Sequence, residues 1–272
     1  MDQNGVGDRA ILDSVNAEPN GTAANAVTAD ELLAAATDAI AAASAGGFPM
    51  RLLGGIAVLE LADSARRPPL QRAYHDFDVV VPQKAGASAA RIFRDLGYGE
   101  DQHFNALHGA QRMIFSSDRG FVVDVLVGTF QMCHRLELGR DLPETGLTVH
   151  PADLVLTKLQ IVQIEDKDLR DAAALLADLP PGPGPEPGPL IDPDRFARTL
   201  AADWGFYHTV ELNLPKVVAY AADHLDEPRA ASVARTAASL SKAMQAAPKS
   251  VKWKVRAKVG EKVTWYELPE EV

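Results

Sequence analysis

The stretch 76-DFDVVV-81 sets two carboxylates one residue apart at the head of an unbroken β-branched run. Such a run reads as a buried strand. Side chains on a strand alternate between faces, so Asp76 and Asp78 share one face while Phe77 enters the opposite layer. Same-face neighbours sit roughly 6–7 Å apart at Cα. Like charges that close repel, and burying them unpaired is costly. Either both acids stand in a solvated loop ahead of the strand, or the fold brings something to offset the repulsion. The stretch 121-FVVDVLV-127 poses the problem again, because Asp124 is a lone acid in an otherwise apolar strand. Such a residue is expensive unless it is paired, bound to a metal, or turned to water at a strand edge.

The surrounding pattern places these strands in a mixed α/β unit. Thr28 and Glu31 have capping-box spacing at the start of a helix whose apolar face is Leu32, Leu33, Ala36 and Ile40, ended by Gly46-Gly47. In 50-MRLLGGIAVLELAD-63 a short strand, a glycine turn and a helix follow one another. The loop 66-RRPPLQRAY-74 holds two prolines that will not continue a helix. A helix over 85–97, strands at 111-QRMIF-115 and 121-FVVDVLV-127, and helices over 154-LVLTKLQIV-162 and 166-DKDLRDAAALLADL-179 complete the pattern. We therefore expect a loose tail over 1–27, an α/β (α+β) domain with a small mixed sheet over 28–179, and a Pro/Gly linker or exposed loop over 180–190. A mostly helical C-terminal region follows over 191–272.

Composition removes several classes. A net charge of −10 argues against a protein that coats nucleic acid non-specifically. One cysteine, Cys133, cannot build a disulfide framework within the chain. The polar start MDQNGVGDRA lacks the apolar core of a signal peptide, and no apolar run reaches the ~18 residues of a membrane span. The expectation is a cytoplasmic protein with no membrane partner. Local charge is different near the end. Lys252, Lys254, Arg256 and Lys258 alternate with apolar or small residues, interleaved with Trp253, Trp265 and Tyr266. The period of two suggests a strand with one basic face, whereas Pro248 at the first helical position suggests a helix. Such a segment either offers an RNA contact or packs on an acidic body.

Candidate chemistry gathers around the aspartates. Two carboxylates on one strand face can converge on a pair of divalent cations roughly 3.5–4 Å apart. Magnesium suits this role, being commonly held by one or two carboxylates plus substrate phosphates. The Gly54-Gly55 pair lets the backbone approach a ligand, and the helix after it offers free N–H groups to a phosphate, although a tight turn needs the same pair. Glycine pair and helix, then Asp-x-Asp on a strand, then a third aspartate on a later strand: this order resembles the nucleotidyltransferase superfamily. DNA polymerase beta, aminoglycoside nucleotidyltransferases and abortive-infection toxins share that fold. The resemblance covers residues 30–178 and extends to Lys158 and the Lys167-Asp168 pair in 154-LVLTKLQIVQIEDKDLRDAAALL-176. The whole chain, with its ending WYELPEEV, is similar to a bacterial group within that superfamily, a match that supplies no substrate.

The resemblance implies a role for each matching position. Gly54 and Gly55 would hold the triphosphate of an NTP, Asp76 and Asp78 would bind two Mg²⁺ ions (or Mn²⁺), and Asp124 would bind the acceptor-side metal and accept a proton from the attacking hydroxyl. Lys158 would sit near the phosphates, and Arg72 would be either a phosphate contact or a structural one. The implied reaction moves an NMP to a hydroxyl of a small molecule, tRNA or protein; the alternative is a nucleotide- or partner-binding module without turnover. Relatives often have serine where this chain has Gly55. Other chemistry-bearing residues receive plainer readings. His103 and His108 read as loop or hydrogen-bonding histidines, His75 as a loop residue, and Cys133-His134 as no catalytic pair. Asp166, Asp168 and Asp171 alternate with Lys167 and Arg170 and read as a salt-bridged helix face.

Overall fold

Thr28 caps the first helix through the predicted box. Its side chain accepts from the Glu31 backbone N–H, and the Glu31 carboxylate accepts from the Thr28 N–H at 2.8 Å. This helix, α1 (Ala29–Ala45), buries Leu32, Ala36, Ala39, Ile40 and Ala43 on one face. The computed structural model describes residues 27–183 and 189–268, so the expected tail before Val27, the centre of the Pro/Gly run and the last four residues lie outside it.

The chain then builds β1 (Arg51–Leu53), α2 (Gly54–Leu61), β2 (Asp76–Val81), α3 (Gly86–Asp95), β3 (Gly99–Glu100), α4 (Gln102–His108), β4 (Arg112–Ser116) and β5 (Val122–Val127). The five strands form one mixed sheet in the order β1-β2-β5-β4-β3. Only β2 and β5 run parallel; the other neighbours are antiparallel. Parallel neighbours need a long crossover, which α3, β3, α4 and β4 supply here. The face opposite the aspartates is apolar. Phe77 packs 5.9 Å from Phe121 and Phe93 packs 5.1 Å from Phe115, centroid to centroid, and all four are fully or almost fully buried.

A small hairpin of β6 (Phe130–Gln131) and β7 (Arg135–Leu136) leads to the helices α5 (Pro151–Leu159), α6 (Asp166–Asp178), α7 (Pro193–Ala202), α8 (Trp204–His224), α9 (Glu227–Ala246) and α10 (Val251–Val259). Helices α7 to α9 pack on α5 and α6, and one hydrophobic cluster runs from Leu32 to Met244. The Pro/Gly run is closed at its base: Gly182 donates to the Ile191 carbonyl at 3.0 Å and Ile191 to the Pro180 carbonyl at 3.1 Å. Asn213 on α8 donates to the carbonyls of Leu159 and Ile161 at 2.9 and 2.8 Å, stitching the later helices to the end of α5. No helix among the described residues is long and apolar enough to cross a membrane.

The basic tail takes the helical alternative, with Ser250 rather than Pro248 setting its start: the Ser250 hydroxyl accepts from the Trp253 N–H. Its aromatic groups turn inward. Trp253 donates to the Leu200 carbonyl at 3.3 Å, Trp265 donates to the Thr209 hydroxyl at 3.1 Å, and Arg256 lies 4.6 Å from the Trp204 ring centre. Lys252, Lys254 and Lys258 stay exposed beside Val251 and Val255. The 103–109 segment is the helix α4 rather than a loop, held by Asn105, whose amide both donates to the Ile114 carbonyl and accepts from the Ile114 N–H.

Candidate active site

Strand alternation and register together assemble the acids. Asp78 on β2 is the direct partner of Asp124 on β5, and Asp76 pairs with Val122 one step along the same face. Residues paired across neighbouring strands share a face, so Asp76, Asp78 and Asp124 stand together on the side away from the phenylalanines. The acids are unequal. Asp76 is exposed, and Asp78 and Asp124 are half-buried. Burial, and then the charges of Asp76 and Asp124, push the Asp78 carboxyl up to about 7, with Lys158 and Arg112 opposing the rise. The repulsion anticipated from the sequence therefore falls mainly on Asp78.

Asp124 has a partner that the sequence did not announce. Arg112 on β4 donates to both of its oxygens, at 2.8 Å through Nε and 3.0 Å through Nη2. Arg112 shares the acid face because Ile114, two residues on, is the direct partner of Asp124. Nothing local in 111-QRMIF-115 marks this arginine, since its position depends on strand pairing.

The glycine pair lies against the acids. Gly54 has φ +69, and a methyl group there would overlap the Asp78 Oδ2 atom. A methyl at Gly55 would overlap the Arg72 guanidinium and the Tyr74 ring. Both positions thus need glycine to let side chains reach the backbone at the start of α2, and a serine at 55 would have to displace Arg72 and Tyr74. The N-cap Leu53 makes no side-chain cap hydrogen bond to the first N–H groups of α2.

Behind this turn lies a buried ionic cluster. Lys158 on α5 is 2.9 Å from Asp171 Oδ2 and 3.8 Å from Asp168 Oδ1. Arg72 forks Asp171 with bonds of 3.0 and 2.9 Å and lies 4.2 Å from the Tyr74 ring centre. Burial would raise the Asp171 carboxyl, but Lys158 and Arg72 outweigh it and hold it below the usual range. Burial does raise Asp168, against Lys158. The salt-bridged helix face is therefore corrected for two of its three acids. Asp166 pairs with Arg170 at 2.8 Å on the outside, whereas Asp168 and Asp171 are buried. Their i, i+3 spacing, in line with buried Ala172 and Leu175, is a signal that could have placed them inward. Lys158 and Arg72 stand near the acid face, each already engaged with Asp171.

Cys133 and His134 do structural work. His134 bonds the Thr209 hydroxyl at 2.8 Å, stacks 5.0 Å from Phe206, and is pulled by burial down to about 4. The Cys133 sulfur accepts from the Val162 N–H at 3.5 Å.

The donor set suits a hard divalent cation at Asp76 and Asp78, where two oxygen ligands face a charge excess that a cation would relieve. Each Asp124 oxygen already accepts from Arg112, and as they stand no three His, Cys, Asp or Glu side chains among the described residues are grouped to hold a metal. No family model matches the chain, and no curated protein matches it.

Proposed function

We propose that the chain is a cytoplasmic member of the nucleotidyltransferase superfamily and moves an NMP from an NTP to a hydroxyl of an acceptor. The observation that carries this reading is the register of Asp78 with Asp124, with Asp76 on the same face and the Gly54 backbone pressed against Asp78. Asp76 and Asp78 would hold Mg²⁺, and bound Mg²⁺ neutralises charge on the phosphates and the leaving pyrophosphate. The first N–H groups of α2 receive phosphate oxygens. Asp124 accepts the proton of the attacking hydroxyl once Arg112 releases one of its oxygens. The hydroxyl oxygen bonds to the α-phosphorus as the bond to pyrophosphate breaks. Asp171 fixes Arg72 and Lys158 beside this turn, so their positive charge faces the phosphates without needing to move.

Calorimetric titration of each NTP with Mg²⁺ into wild type and Asp76→Asn/Asp78→Asn tests the reading. Binding that depends on Mg²⁺ and disappears in the double variant supports it; equal binding in both proteins overturns it. A second reading, a nucleotide-binding module without turnover, draws on the engagement of both Asp124 oxygens by Arg112. Asp124→Asn separates the two, because it abolishes NMP transfer in an enzyme and leaves a binding module unaltered. Small molecules, tRNA and proteins remain the acceptor classes. With Trp253 and Trp265 turned inward and Tyr266 packed on Trp265, the exposed groups of the tail are mainly lysines, which favours the small-molecule class.

A further inference from the structure

Arg51 opens β1 and pairs with Val80, at the end of the strand away from Leu53 and Asp78. It is only 4% exposed. A buried guanidinium is normally matched by a carboxylate, because removing it from water is otherwise uncompensated. Three well-covered cations follow that rule: Arg72 has Asp171, Lys158 has Asp171 and Asp168, and Arg195 has Asp153 and Asp141, whereas the more exposed Arg256 is served by the backbone carbonyls of Gly260, Val263 and Thr264. Arg51 departs from the rule. Its Nη1 donates to the Met50 carbonyl at 2.7 Å, its Nε is buried with no partner, and no ion pair forms among the described residues. Burial alone acts on its acidity, pushing it below the ordinary arginine value.

The unmatched charge borders a cavity. Arg51 lines a cleft of about 290 Å³ with Ser44, Gly47, Phe48, Leu142 and Glu144. This space lies near the low end of small-ligand pockets. The C-terminal end of α1, with Ser44 in its last turn, partly offsets a positive charge through its dipole, but a dipole does not fill an empty donor. Glu144 shares the cleft without bonding to the arginine.

We infer that this cleft is a second ligand site, in which Arg51 receives a small oxyanion, the phosphate or carboxylate group of a metabolite-sized acid. Two oxygens of such a group match the fork of a guanidinium, and the Ser44 hydroxyl offers a further donor on the cleft wall. The site is independent of the Asp76/Asp78/Asp124 face and stands or falls separately from the proposed reaction.

The test is thermal unfolding of the full chain in an anion-poor buffer, titrated with inorganic phosphate or with succinate at constant ionic strength, for wild type, Arg51→Met and Glu144→Gln. Wild type should show a saturable rise in Tm with at least one anion, and which one identifies phosphate or carboxylate as the ligand chemistry. Arg51→Met should lose that rise and, in the anion-free buffer, unfold no earlier than wild type, because an uncompensated buried charge has been removed. Glu144→Gln, on an exposed loop and expected to fold whatever Arg51→Met does, should bind the same anion several-fold more tightly. No saturable rise in wild type, an equal rise in Arg51→Met, or unchanged affinity in Glu144→Gln would each overturn the site.

Discussion

Replacing Asp78 by asparagine should make the protein more stable at alkaline pH while removing its metal and nucleotide binding. The folded Asp78 carboxyl sits at about 7, against an ordinary value of 3.8. Burial and the neighbouring acids favour the neutral form, so the folded state holds a proton that the unfolded state has released throughout the window between those values. Stability from this group is complete below pH 3.8 and declines as pH rises towards 7. A displacement of about 3 pH units corresponds to about 4 kcal/mol at pH 8, of which about 2 to 3 kcal/mol is lost between pH 5 and pH 8. Asparagine has nearly the same shape and no charge, so Asp78→Asn should escape this loss. The assay is the difference in Tm between Asp78→Asn and wild type at pH 5 and pH 8, in buffer containing EDTA. For a chain this long each kcal/mol moves Tm by about 2–4 °C. The difference should therefore grow by several degrees in favour of the variant as pH rises. A constant difference across that range, or a variant less stable than wild type at pH 8, would refute the argument that Asp78 bears the repulsion. Adding Mg²⁺ should reverse the order at pH 8, since a bound cation relieves in wild type what the substitution relieves in the variant.

Gly54→Ala forces a side chain onto a left-handed backbone, about 1–2 kcal/mol by itself, and into Asp78; a lowered Tm together with lost NTP binding is expected. Asp171→Ala strands Lys158 and Arg72 without their shared carboxylate and should cost about 3–5 kcal/mol, read as a fall in the urea midpoint. Arg112→Met breaks a half-exposed pair, so its stability cost should stay within about 1 kcal/mol, while calorimetry should show tighter Mg²⁺ binding because both Asp124 oxygens are freed. Weaker Mg²⁺ binding would instead make Arg112 a support for the ion. Lys252→Glu/Lys254→Glu/Lys258→Glu changes only exposed side chains and should leave Tm nearly unchanged; a large fall would show that α10 is held by these lysines rather than by Trp253.

What the sequence could reveal of this fold divides by the distance over which each interaction acts. The strand 76-DFDVVV-81, the capping box at Thr28 and the glycine stop after α1 are local, and their residues declare them. The conflict at the head of β2 was also legible, because alternation alone puts Asp76 and Asp78 on one face. Its resolution was not. That Asp78 meets Asp124, and that Arg112 takes both Asp124 oxygens, depends on a parallel pairing across a crossover and on the register of β4, neither of which leaves a local trace. Gly54 shows how one residue can answer two demands: the sequence offers it as a point of close ligand approach or a tight turn, and in the structure it is the Asp78 carboxylate that lies against it. Asp168 and Asp171 went wrong for a different reason. Their neighbours Lys167 and Arg170 made a salt-bridged face persuasive, whereas the i, i+4 relation of Asp168 to Ala172 and of Asp171 to Leu175 carried the weightier signal. The tail repeats this competition. Lysines at every second position suggest a strand, but Trp253, Arg256 and Gly260, spaced for a helix, make the contacts that hold the segment. In both places the inward contacts set the structure against the visible charge pattern: Asp168 and Asp171 are themselves buried, and the half-buried Trp253 packs on the core. The same weighting makes the acid face informative. Asp78 is kept beside Asp76 and Asp124 although burial and their charges push its carboxyl up to about 7, and a bound cation is the group that would offset that repulsion.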